Sequence, residues 1–492
     1  MSRSLSKSKY CCGIQCPKML WLHCYRPEEF DRSVMNEGIL KTGNEVGDLA
    51  MGLFGGFTEV PYGDLSEMIK TTEELIRQGT PLICEASFSY DGCFCSVDIL
   101  KLIDKNTVEL YEVKSSTSLS DIYIHDVSYQ TYVLTQLGFH VRRACLVHLN
   151  RAYVRHGALD LSQLFTIEDL TETAMEQHDF VGETIAAFKT MLGNEEEPEQ
   201  DIGEQCRTPY QCGFLSWCTR SLPRPNVFDL RGIQYRTLLK LYRQSLISFE
   251  DLQAAGCLSE KPAMQVRHEL ADLPDQIDVP AVKDFLSSIT YPLYYLDFET
   301  FQPAVPLYDD SSPFDQIPFQ YSLHYQKRKN GKLYHREFLA DPQEDPRRKL
   351  AEQLCRDIPA DACVLAYNMS FEKGRIKALA SLYPDLHDHL MKIYSNMKDL
   401  MIPFQQRCWY NRAMQGSYSI KYVLPALYPD DPELDYHNLE GVHNGAEASD
   451  AFRNMRTMDP ETLKEYRAHL LKYCELDTYA MVKILKKLYE AI

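Results

Sequence analysis

The chain has 492 residues, of which 45% are hydrophobic and 25% are charged, and its formal net charge is −18. This length exceeds what a single hydrophobic core supports, so we expect two or three domains. The acidic balance argues against a generally basic protein that coats nucleic acid, but it is compatible with a metal-dependent nuclease, which concentrates carboxylates.

The hydropathy pattern excludes two further classes. No run of eighteen apolar residues occurs, so we expect no transmembrane helix and no membrane partner. Residues 1–25 are basic but lack a clean apolar core and a small-residue cleavage site, so we expect no signal peptide and a cytoplasmic protein. In that compartment the sixteen cysteines are not expected to form disulfides.

The first half of the chain predicts an α/β unit. Strand-forming runs within residues 81–117 are separated by the turn signals "DG" and "DKN", which predicts an antiparallel meander. A helix is predicted over residues 121–138, where Gly138 suits a C-cap, and a strand over residues 141–150. Residues 160–200 are predicted to be helical and run into the acidic stretch "NEEEPEQD", which we interpret as a solvated linker.

A second α/β domain is predicted to begin at the apolar strand "LYYLDFET", residues 293–300. Further strand-forming runs follow at residues 318–326, 334–340 and 362–368. The chain ends in a long predicted helix, residues 460–492. The predicted division is a first domain over residues 1–222, a helical connector over 223–288 and a second domain over 289–492.

The first candidate site combines Asp98 in "SVDIL" with Glu112 and Lys114 in "YEVKSS". Residues i and i+2 of a strand share a face, so Glu112 and Lys114 point the same way, and Asp98 on the neighbouring strand can reach the same point. Two carboxylates can hold Mg²⁺ or Mn²⁺, and the metal activates a water that the lysine can orient. The alternative is ordinary alternation of polar side chains along a strand surface.

The second candidate site combines four acids and a tyrosine. Asp297 and Glu299 share a strand face, Glu372 follows in "NMSFE", and Tyr473 and Asp477 have the i, i+4 spacing of one helix face. Four carboxylates suit two metal ions that activate a water and stabilise the leaving oxygen of a phosphodiester, with Tyr473 orienting the water. Each piece alone is also typical of a solvated strand end or helix face, but the ordered set is more specific.

Three evenly spaced cysteines, Cys206, Cys212 and Cys218, lie in "CRTPYQCGFLSWC" after the acidic stretch. A cluster at fixed spacing indicates a metal site, and the alternative is three incidental cysteines. Three thiolates are one short of a tetrahedral sulfur site, so we expect a fourth ligand from elsewhere in the chain.

The first candidate site resembles the PD-(D/E)xK nucleases, and within them the RecB-like and CRISPR-associated exonucleases, in which a D-x-L strand precedes an E-x-K strand. That group carries a glutamine on the following helix, which Gln130 matches, although the nearby aromatic is Tyr132 rather than a tyrosine four residues on. The group usually has a glycine followed four residues later by a histidine, whereas this chain has Gly43 and Gly47. The candidate replacements on that helix are Glu45 and Asp48.

Several members of the same group carry a 4Fe–4S cluster held by one N-terminal and three C-terminal cysteines. The resemblance implies that Cys16, in "CPKMLW", joins Cys206, Cys212 and Cys218 as a ligand. Such a cluster would be structural. The other candidates for the fourth ligand are Cys11, Cys12 and Cys24, and zinc is the competing metal.

The second candidate site resembles the DnaQ-like (DEDD) 3′–5′ exonucleases, which have an RNase H-like fold. A tyrosine four residues before the last aspartate, here Tyr473 before Asp477, marks one of their subgroups. Glu372 stands where the second motif usually has an aspartate. Between the motifs, Ser417 and Lys421 are candidate substrate contacts.

Together the two sites resemble an uncharacterised bacterial family that fuses a RecB-like nuclease with an iron–sulfur cluster to a DnaQ-like exonuclease. The resemblance implies a restriction-endonuclease-like α/β domain followed by an RNase H-like domain. It implies a metal-dependent nuclease of DNA or RNA, first of all a 3′–5′ exonuclease on single-stranded ends, in DNA repair, antiviral defence or RNA processing. The alternative is a nucleic-acid-binding protein whose inactive first domain only grips substrate, which the glycine at position 47 favours.

Overall fold

The computed structural model describes residues 4–35 and 37–492, and they form a mixed α/β protein with several sheets. Over these residues, no helix is both long enough and apolar enough to cross a bilayer. The chain divides into two compact units. The first runs to Ser221 and also contains Pro303–Asp315, and the second comprises Leu222–Gln302 and Gln316–Ile492. The segment predicted as a connector therefore lies in the second unit.

The first unit contains both strands and helices. Its strands are β1 (Leu5–Ser6), β2 (Thr58–Glu59), β3 (Leu82–Tyr90), β4 (Cys93–Leu102), β5 (Thr107–Lys114), β6 (His140–Leu149) and β7 (Phe165–Asp169). Its α-helices are α1 (Lys7–Gln15), α2 (Pro17–Tyr25), α3 (Glu37–Met51), α4 (Leu65–Gln78), α5 (Asp121–Gln136), α6 (Leu161–Leu164), α7 (Thr171–Glu176), α8 (His178–Gly193) and α9 (Leu215–Cys218).

The strands of the first unit form one sheet in the order β2-β3-β4-β5-β6-β7, with β1 beside β4. The antiparallel meander predicted from the sequence is present as β3, β4 and β5. The next pair, β5 and β6, is parallel, and α5 supplies the crossover that such a pair requires. Val127 of α5 belongs to the same core as Leu110 and Leu146 of the sheet. The other core of this unit includes Val46 of α3 and Val113 of β5.

One prediction for this unit is wrong. Residues 160–200 were expected to be helical throughout, but Phe165–Asp169 form the edge strand β7. This strand is antiparallel to β6, with Ile167 opposite Val147. The free edge of β6 offers hydrogen-bond partners to a segment that contains β-branched residues, and this tertiary pairing outweighs the local helical preference.

The second unit contains the remaining elements. Its strands are β8 (Gln276–Ile277), β9 (Leu293–Phe301), β10 (Ile317–Gln326), β11 (Leu333–Leu339), β12 (Cys363–Ala366), β13 (Met397–Asp399) and β14 (Trp409–Tyr410). Its α-helices are α10 (Tyr235–Arg243), α11 (Phe249–Ala255), α12 (Glu260–Ala271), α13 (Val279–Ser287), α14 (Pro346–Asp357), α15 (Ser370–Leu382), α16 (His387–Ser395), α17 (Ile402–Gln405), α18 (Ile420–Leu427), α19 (Gly445–Asn454) and α20 (Pro460–Glu490).

The main sheet of the second unit has the order β11-β10-β9-β12-β13. Its first three strands are antiparallel, whereas β12 runs parallel to both β9 and β13. The long helix α20 is capped by Asp459, which accepts the backbone N–H groups of Glu461 and Thr462 at 3.0 and 3.1 Å, an arrangement worth about 1 kcal/mol. Buried residues such as Leu470, Cys474 and Met481 recur at helical spacing and pack α20 against β9 and β10.

Candidate active sites

Four acidic side chains converge at β9 in the second unit. Asp297 and Glu299 lie on one face of β9, with Cys474 of α20 beside them, and one ligand atom of each residue lies within 4.8 Å of the others. The Sγ atom of Cys474 lies 3.6 Å from Asp297 Oδ2. Asp477 follows on α20, and Glu372 reaches the cluster from the first turn of α15, close enough to perturb the other carboxyls. The structure therefore brings together the acids that the sequence grouped.

Glu299, Glu372 and Asp477 are buried, Asp297 is half-buried, and these carboxyls repel one another. Burial, followed by repulsion from Asp477, holds the pKa values of Asp297 and Glu299 well above their usual range. Burial also raises the pKa of Asp477 to about 6, against the opposing effects of a hydrogen bond from Tyr436 and attraction by Lys421. Like charges in a poorly solvated interior cost free energy, so this cluster requires protons or cations to neutralise it.

Glu372 is the most deeply buried of these acids. It is 2% exposed, and among the described residues its Oε2 atom has no hydrogen-bond partner. Burial raises the pKa of this carboxyl to about 8. Asp399 at the end of β13 accepts the backbone N–H groups of Asn368, Met369 and Met401 at 3.0, 3.2 and 2.9 Å, and so fixes the turn before Glu372. An orphaned carboxylate oxygen among other acids fits a divalent-metal ligand.

Two tyrosines hold Asp477 in place. Tyr436 donates a hydrogen bond to Asp477 Oδ1 at 2.6 Å, and Tyr473 on the preceding turn of α20 also bonds to this carboxyl. Burial, followed by the nearby acids, raises the pKa of Tyr473, so its phenol stays protonated at neutral pH. Sequence reasoning missed Tyr436 and Cys474. The spacing of Cys474, three residues before Asp477 on a helix, was a usable signal, whereas Tyr436 lies outside any recognised motif.

A cleft of about 520 Å³ opens beside Tyr436. Lys421, His443 and Asn444 contribute to its lining. The Nζ atom of exposed Lys421 donates to the His443 carbonyl at 3.3 Å. Ser417, the other predicted substrate contact, instead holds a turn by accepting the N–H group two residues further on at 3.2 Å. Both ring nitrogens of His443 and the side chain of Asn444 are engaged by Glu447 and the Leu439 carbonyl, so the cleft offers the Lys421 cation next to the acids.

The four residues predicted for the first unit also meet. Lys114 Nζ lies 2.7 Å from Glu112 Oε1, and Gln130 Nε2 of α5 donates to Glu112 Oε2 at 2.7 Å. Asp98 on the neighbouring strand accepts the backbone N–H of Val113 at 2.6 Å through its Oδ2 atom. The predicted cluster of Asp98, Glu112, Lys114 and Gln130 is therefore present as a contiguous set of side chains.

Two residues that sequence reasoning missed complete this cluster. Asp126 of α5 accepts a hydrogen bond from Lys114 Nζ at 2.6 Å. Lys7, the first residue of α1, donates to both carboxylate oxygens of Glu112 at 2.9 Å and lies 3.5 Å from Asp98 Oδ1. The position of Asp126, one helical turn before the predicted glutamine, was a usable signal, but no local pattern connects Lys7 with residues that lie so far along the chain.

The two lysines compensate the acids of this cluster. Burial raises the pKa of Asp98 to about 7, with further repulsion from Glu112. Burial also acts to raise the pKa of Glu112, but Lys114 and Lys7 outweigh it and hold that pKa below the usual range. The Lys7 ammonium stands between the two carboxylates that a divalent cation would bridge. These donors accommodate such a cation only when Lys7 moves away.

The surroundings of this cluster differ from the predicted pattern. β3 is irregular opposite Asp98, where Glu85 adopts a φ of +57° and the pairing with β4 is interrupted at Glu85 and Asp98 without a change of register. Burial raises the pKa of Glu85, and repulsion from Asp48 of α3 adds to it. Glu45 and Asp48 are exposed, and a side chain added at Gly47 would meet no atom within 4 Å. Glu85 is thus a further acid next to the cluster, supplied by a strand rather than by α3.

The four predicted cysteines gather at the start of α2. Burial raises the pKa of Cys212 to about 12, and the neighbouring thiols Cys206, Cys16 and Cys218 add to this effect. Cys16 precedes α2, and although burial raises its pKa, the first backbone N–H groups of the helix lower it. Phe214 donates its N–H to Cys212 Sγ at 3.4 Å. Backbone N–H groups directed at sulfur stabilise thiolates, so these four thiols are candidate ligands of a 4Fe–4S cluster or Zn²⁺, but they do not form one of the groups of described residues whose ligand atoms lie within 4.8 Å of one another.

Of the other candidates for the fourth thiol, Cys11 and Cys24 lie away from Cys16, whereas Cys12 lies close to it. Cys11 approaches the Ile122 carbonyl at 3.9 Å and faces the acid cluster, and Cys24 packs against the core of the sheet. Cys12 packs against the group that contains Cys16 and is therefore the remaining competitor. All sixteen cysteines are free thiols.

Comparisons with known proteins cover part of the chain. The family described as "Domain of unknown function (DUF2779)" matches residues 294–419, which include Asp297, Glu299 and Glu372. "Uncharacterized protein MG366" of Mycoplasma genitalium is 27% identical over 206 residues, covering 39% of this chain and 31% of that protein. Its Mycoplasma pneumoniae homolog is 29% identical over 208 residues, covering 39% and 31%.

"Uncharacterized protein UU173" of Ureaplasma parvum is 25% identical over 235 residues, covering 43% of this chain and 33% of that protein. The chain therefore matches about a third of the length of each of these relatives. No solved structure gives a significant match. The chain is thus similar to proteins whose names state no activity, and its function has to be argued from its own residues.

Proposed function

We propose that the second unit is a DnaQ-like, RNase H-like exonuclease that removes nucleotides from the 3′ end of DNA or RNA with the help of divalent cations. The observation that carries this proposal is the convergence of four largely buried carboxyls in one cluster, with raised pKa values and an orphaned Glu372 oxygen. A cluster of this kind is neutralised when divalent cations bind it.

The residues that would hold Mg²⁺ or Mn²⁺ are Asp297, Glu299, Glu372 and Asp477. When bound, these ions activate a water and stabilise the oxygen that leaves phosphorus. Tyr436 keeps the Asp477 carboxylate oriented through its 2.6 Å hydrogen bond. Tyr473, a protonated phenol in the same cluster, orients the attacking water.

The cleft beside the acids would receive the strand end. Lys421 is exposed and can pair with a phosphate of the sugar–phosphate backbone, whereas His443 and Asn444 are held by Glu447 and shape the wall of the cleft. Contacts of this type recognise the backbone and not the base, which suits an enzyme that removes successive nucleotides from any sequence.

For the first unit we propose a RecB-like PD-(D/E)xK fold in which the cysteines hold a structural metal centre. The antiparallel meander, the crossover helix and the meeting of Asp98, Glu112, Lys114 and Gln130 support this fold. Cys16, Cys206, Cys212 and Cys218 would hold a 4Fe–4S cluster, with zinc as the alternative. For the location we propose the cytoplasm, whose reducing conditions keep cysteine thiols available as metal ligands.

The position of Lys7 favours a second candidate function for the first unit. Its ammonium pairs with Glu112 and lies close to Asp98, so the acids are neutralised without a metal ion. In this state the unit would grip nucleic acid without cleaving it. The two candidates differ in whether Lys7 leaves the cluster when Mg²⁺ or Mn²⁺ is present.

The test is a Mn²⁺-dependent degradation assay with end-labelled single- and double-stranded DNA and RNA. We expect Asp477→Asn to reduce stepwise loss from the 3′ end by at least about a thousandfold, because it removes a ligand charge at the reacting centre. Asp284→Asn, an exposed aspartate of α13, is the matched control and should retain full activity. Wild-type activity in the Asp477→Asn protein would refute the exonuclease proposal.

The Lys114→Ala protein distinguishes the two candidates for the first unit. Loss of a cleavage product that Asp477→Asn still makes would identify a second nuclease site. Unchanged cleavage together with weakened binding of the labelled strand would identify a nucleic-acid-binding unit without nuclease activity. Unchanged cleavage and unchanged binding would refute both candidates for that cluster.

A further inference from the structure

A second set of metal-ligating side chains lies on β10, β11 and α20, away from the acid cluster. His324 of β10 and His335 of β11 stand directly opposite each other in register, and their ring centroids are 4.5 Å apart. One nitrogen of each ring and one carboxylate oxygen of Glu475 on α20 lie within 4.8 Å of one another. His324 is 5% exposed, whereas His335 and Glu475 are half-buried, so the group can be reached from solvent.

The hydrogen bonds behind these rings determine which nitrogens are available. Thr478 Oγ1 lies 3.1 Å from the Glu475 carbonyl, which can only accept, so the Thr478 hydroxyl donates there. Thr478 must then accept from Ser322, at 2.7 Å, and from Nδ1–H of His324, at 2.8 Å. Because Ser322 has donated its one proton to Thr478, it accepts from Nε2–H of His335 at 2.9 Å.

This chain of hydrogen bonds leaves one nitrogen lone pair free on each ring. With Nδ1 protonated in His324 and Nε2 protonated in His335, the free lone pairs belong to Nε2 of His324 and Nδ1 of His335. Within the part of the chain that the structure describes, neither of these nitrogens has a hydrogen-bond partner. A histidine whose rear N–H is held by an oxygen is the usual arrangement of a metal ligand.

The charges around the rings agree with this assignment. Burial, followed by repulsion from His335, lowers the pKa of His324 to about 4, so its ring is neutral at neutral pH. Glu475 pairs with Lys472 at 3.1 Å, and the side chain of Lys472 is exposed, so it can swing into water when a cation approaches. The neutral ring of His324 and the carboxylate of Glu475 therefore offer a nitrogen lone pair and a negative charge to a divalent cation.

We propose that His324, His335 and Glu475 form a binding site for Zn²⁺ or a closely similar transition-metal ion. Two imidazole nitrogens and one carboxylate oxygen are a donor set that zinc takes with a fourth position left for water. Mg²⁺ prefers oxygen ligands and would bind here poorly, which separates this site from the all-carboxylate part of the acid cluster.

The site would link two elements that carry the active-site residues. Its ligands come from β10 and β11 on one side and from α20 on the other, and α20 also supplies Tyr473 and Asp477. Ser322, which orients His335, is the register partner of Asp297 on β9. A bound ion would therefore hold α20 against the sheet next to the acid cluster. The two sites would share no ligand.

The test measures Zn²⁺ bound to the chelator-stripped full chain by equilibrium dialysis, and compares variants so that the cysteines and the acid cluster form a constant background. We expect the wild type to bind one equivalent more than His335→Ala, and Glu475→Gln to bind that equivalent at least about tenfold more weakly. His387→Ala, an exposed histidine of α16, is the matched control and should bind as the wild type does.

Cobalt gives a second readout. The difference spectrum between Co²⁺-loaded wild type and Co²⁺-loaded His335→Ala should show visible bands without the near-ultraviolet charge-transfer band of thiolate ligation. Glu475→Gln changes a half-buried side chain and should fold, so it keeps the test valid if His335→Ala does not. Equal Zn²⁺ stoichiometry and affinity in the wild type and Glu475→Gln would overturn the proposal.

Discussion

Replacing Lys7 by methionine tests whether the first acid cluster is neutralised by the chain itself. Methionine keeps the apolar stem but removes a charge that lies 2.9 Å from both Glu112 oxygens and 3.5 Å from Asp98. The Glu112 side chain is 1% exposed, so water cannot replace the lost partner. Breaking a buried ion pair costs about 3–5 kcal/mol. Lys7 is itself 22% exposed and Lys114 still pairs with Glu112, so we expect the free energy of unfolding to fall by about 3 kcal/mol, the lower end of this range.

The assay is thermal unfolding of the full chain by calorimetry, first in chelator and then with Mn²⁺. For a unit of this size the loss corresponds to a fall of about 6–12 °C in the midpoint of its transition. Mn²⁺ should restore most of this fall in Lys7→Met, because the cation takes the vacated position between the carboxylates. Lys9→Met is the matched control, since Lys9 is on the same helix and donates to the Ser4 carbonyl instead.

Two results would contradict this reasoning. A midpoint in chelator that does not change in Lys7→Met would mean that the ion pair contributes nothing to stability. A response to Mn²⁺ that is equal in the wild type, Lys7→Met and Lys9→Met would mean that Lys7 does not occupy a metal position. In the second case the proposal of a gripping function would lose the observation that favours it.

Three further substitutions probe the remaining sites. Tyr436→Phe removes the hydrogen bond to Asp477 and should weaken Mn²⁺ binding about tenfold, measured by isothermal titration calorimetry; unchanged affinity would exclude an orienting role. Tyr473→Phe should lower kcat about a hundredfold with little change in KM, and a change confined to KM would instead indicate substrate binding. Cys206→Ser should lose the bound metal and its colour, whereas Cys257→Ser, at an exposed cysteine, should retain both. Equal metal content in the two variants would refute the proposed structural metal centre.

The parts of the fold that could be predicted are those that depend on local periodicity. The alternation of β3, β4 and β5 and the helical spacing along α20 are properties of single segments, and each correctly indicated which side chains share a face. The strand β7 was missed because it exists only by pairing with β6. A local preference cannot report a partner that lies elsewhere in the chain.

The same distinction applies to the residues of the two acid clusters. Glu112 and Lys114, or Asp297 and Glu299, are i, i+2 pairs, so their shared direction can be read from a short stretch. Lys7 reaches its cluster because β1 pairs with β4 and so brings the start of α1 to the sheet. Such residues carry no spacing signal, although they decide the charge of the site.

The two acid clusters differ mainly in how far nearby lysines compensate the charge of their carboxylates, and less in their sequence motifs. In the first, Lys7 and Lys114 pair at 2.6–3.5 Å with Asp98, Glu112 and Asp126 and hold the pKa of Glu112 low, although burial still raises the pKa values of Asp98 and Asp126. In the second, the pKa values of all four acids are raised, because burial and mutual repulsion outweigh the attraction of the exposed Lys421.

When the chain supplies no cation to an acid cluster, the repulsion between its carboxylates destabilises the fold. The free energy of binding divalent cations to such a cluster is correspondingly large. A cluster compensated by lysines gains little from the same ions, because an ammonium must first be displaced. Catalysis by divalent cations is therefore expected first at Asp297, Glu299, Glu372 and Asp477. In the cluster of the first unit, Lys7 has to be displaced before the same chemistry can operate.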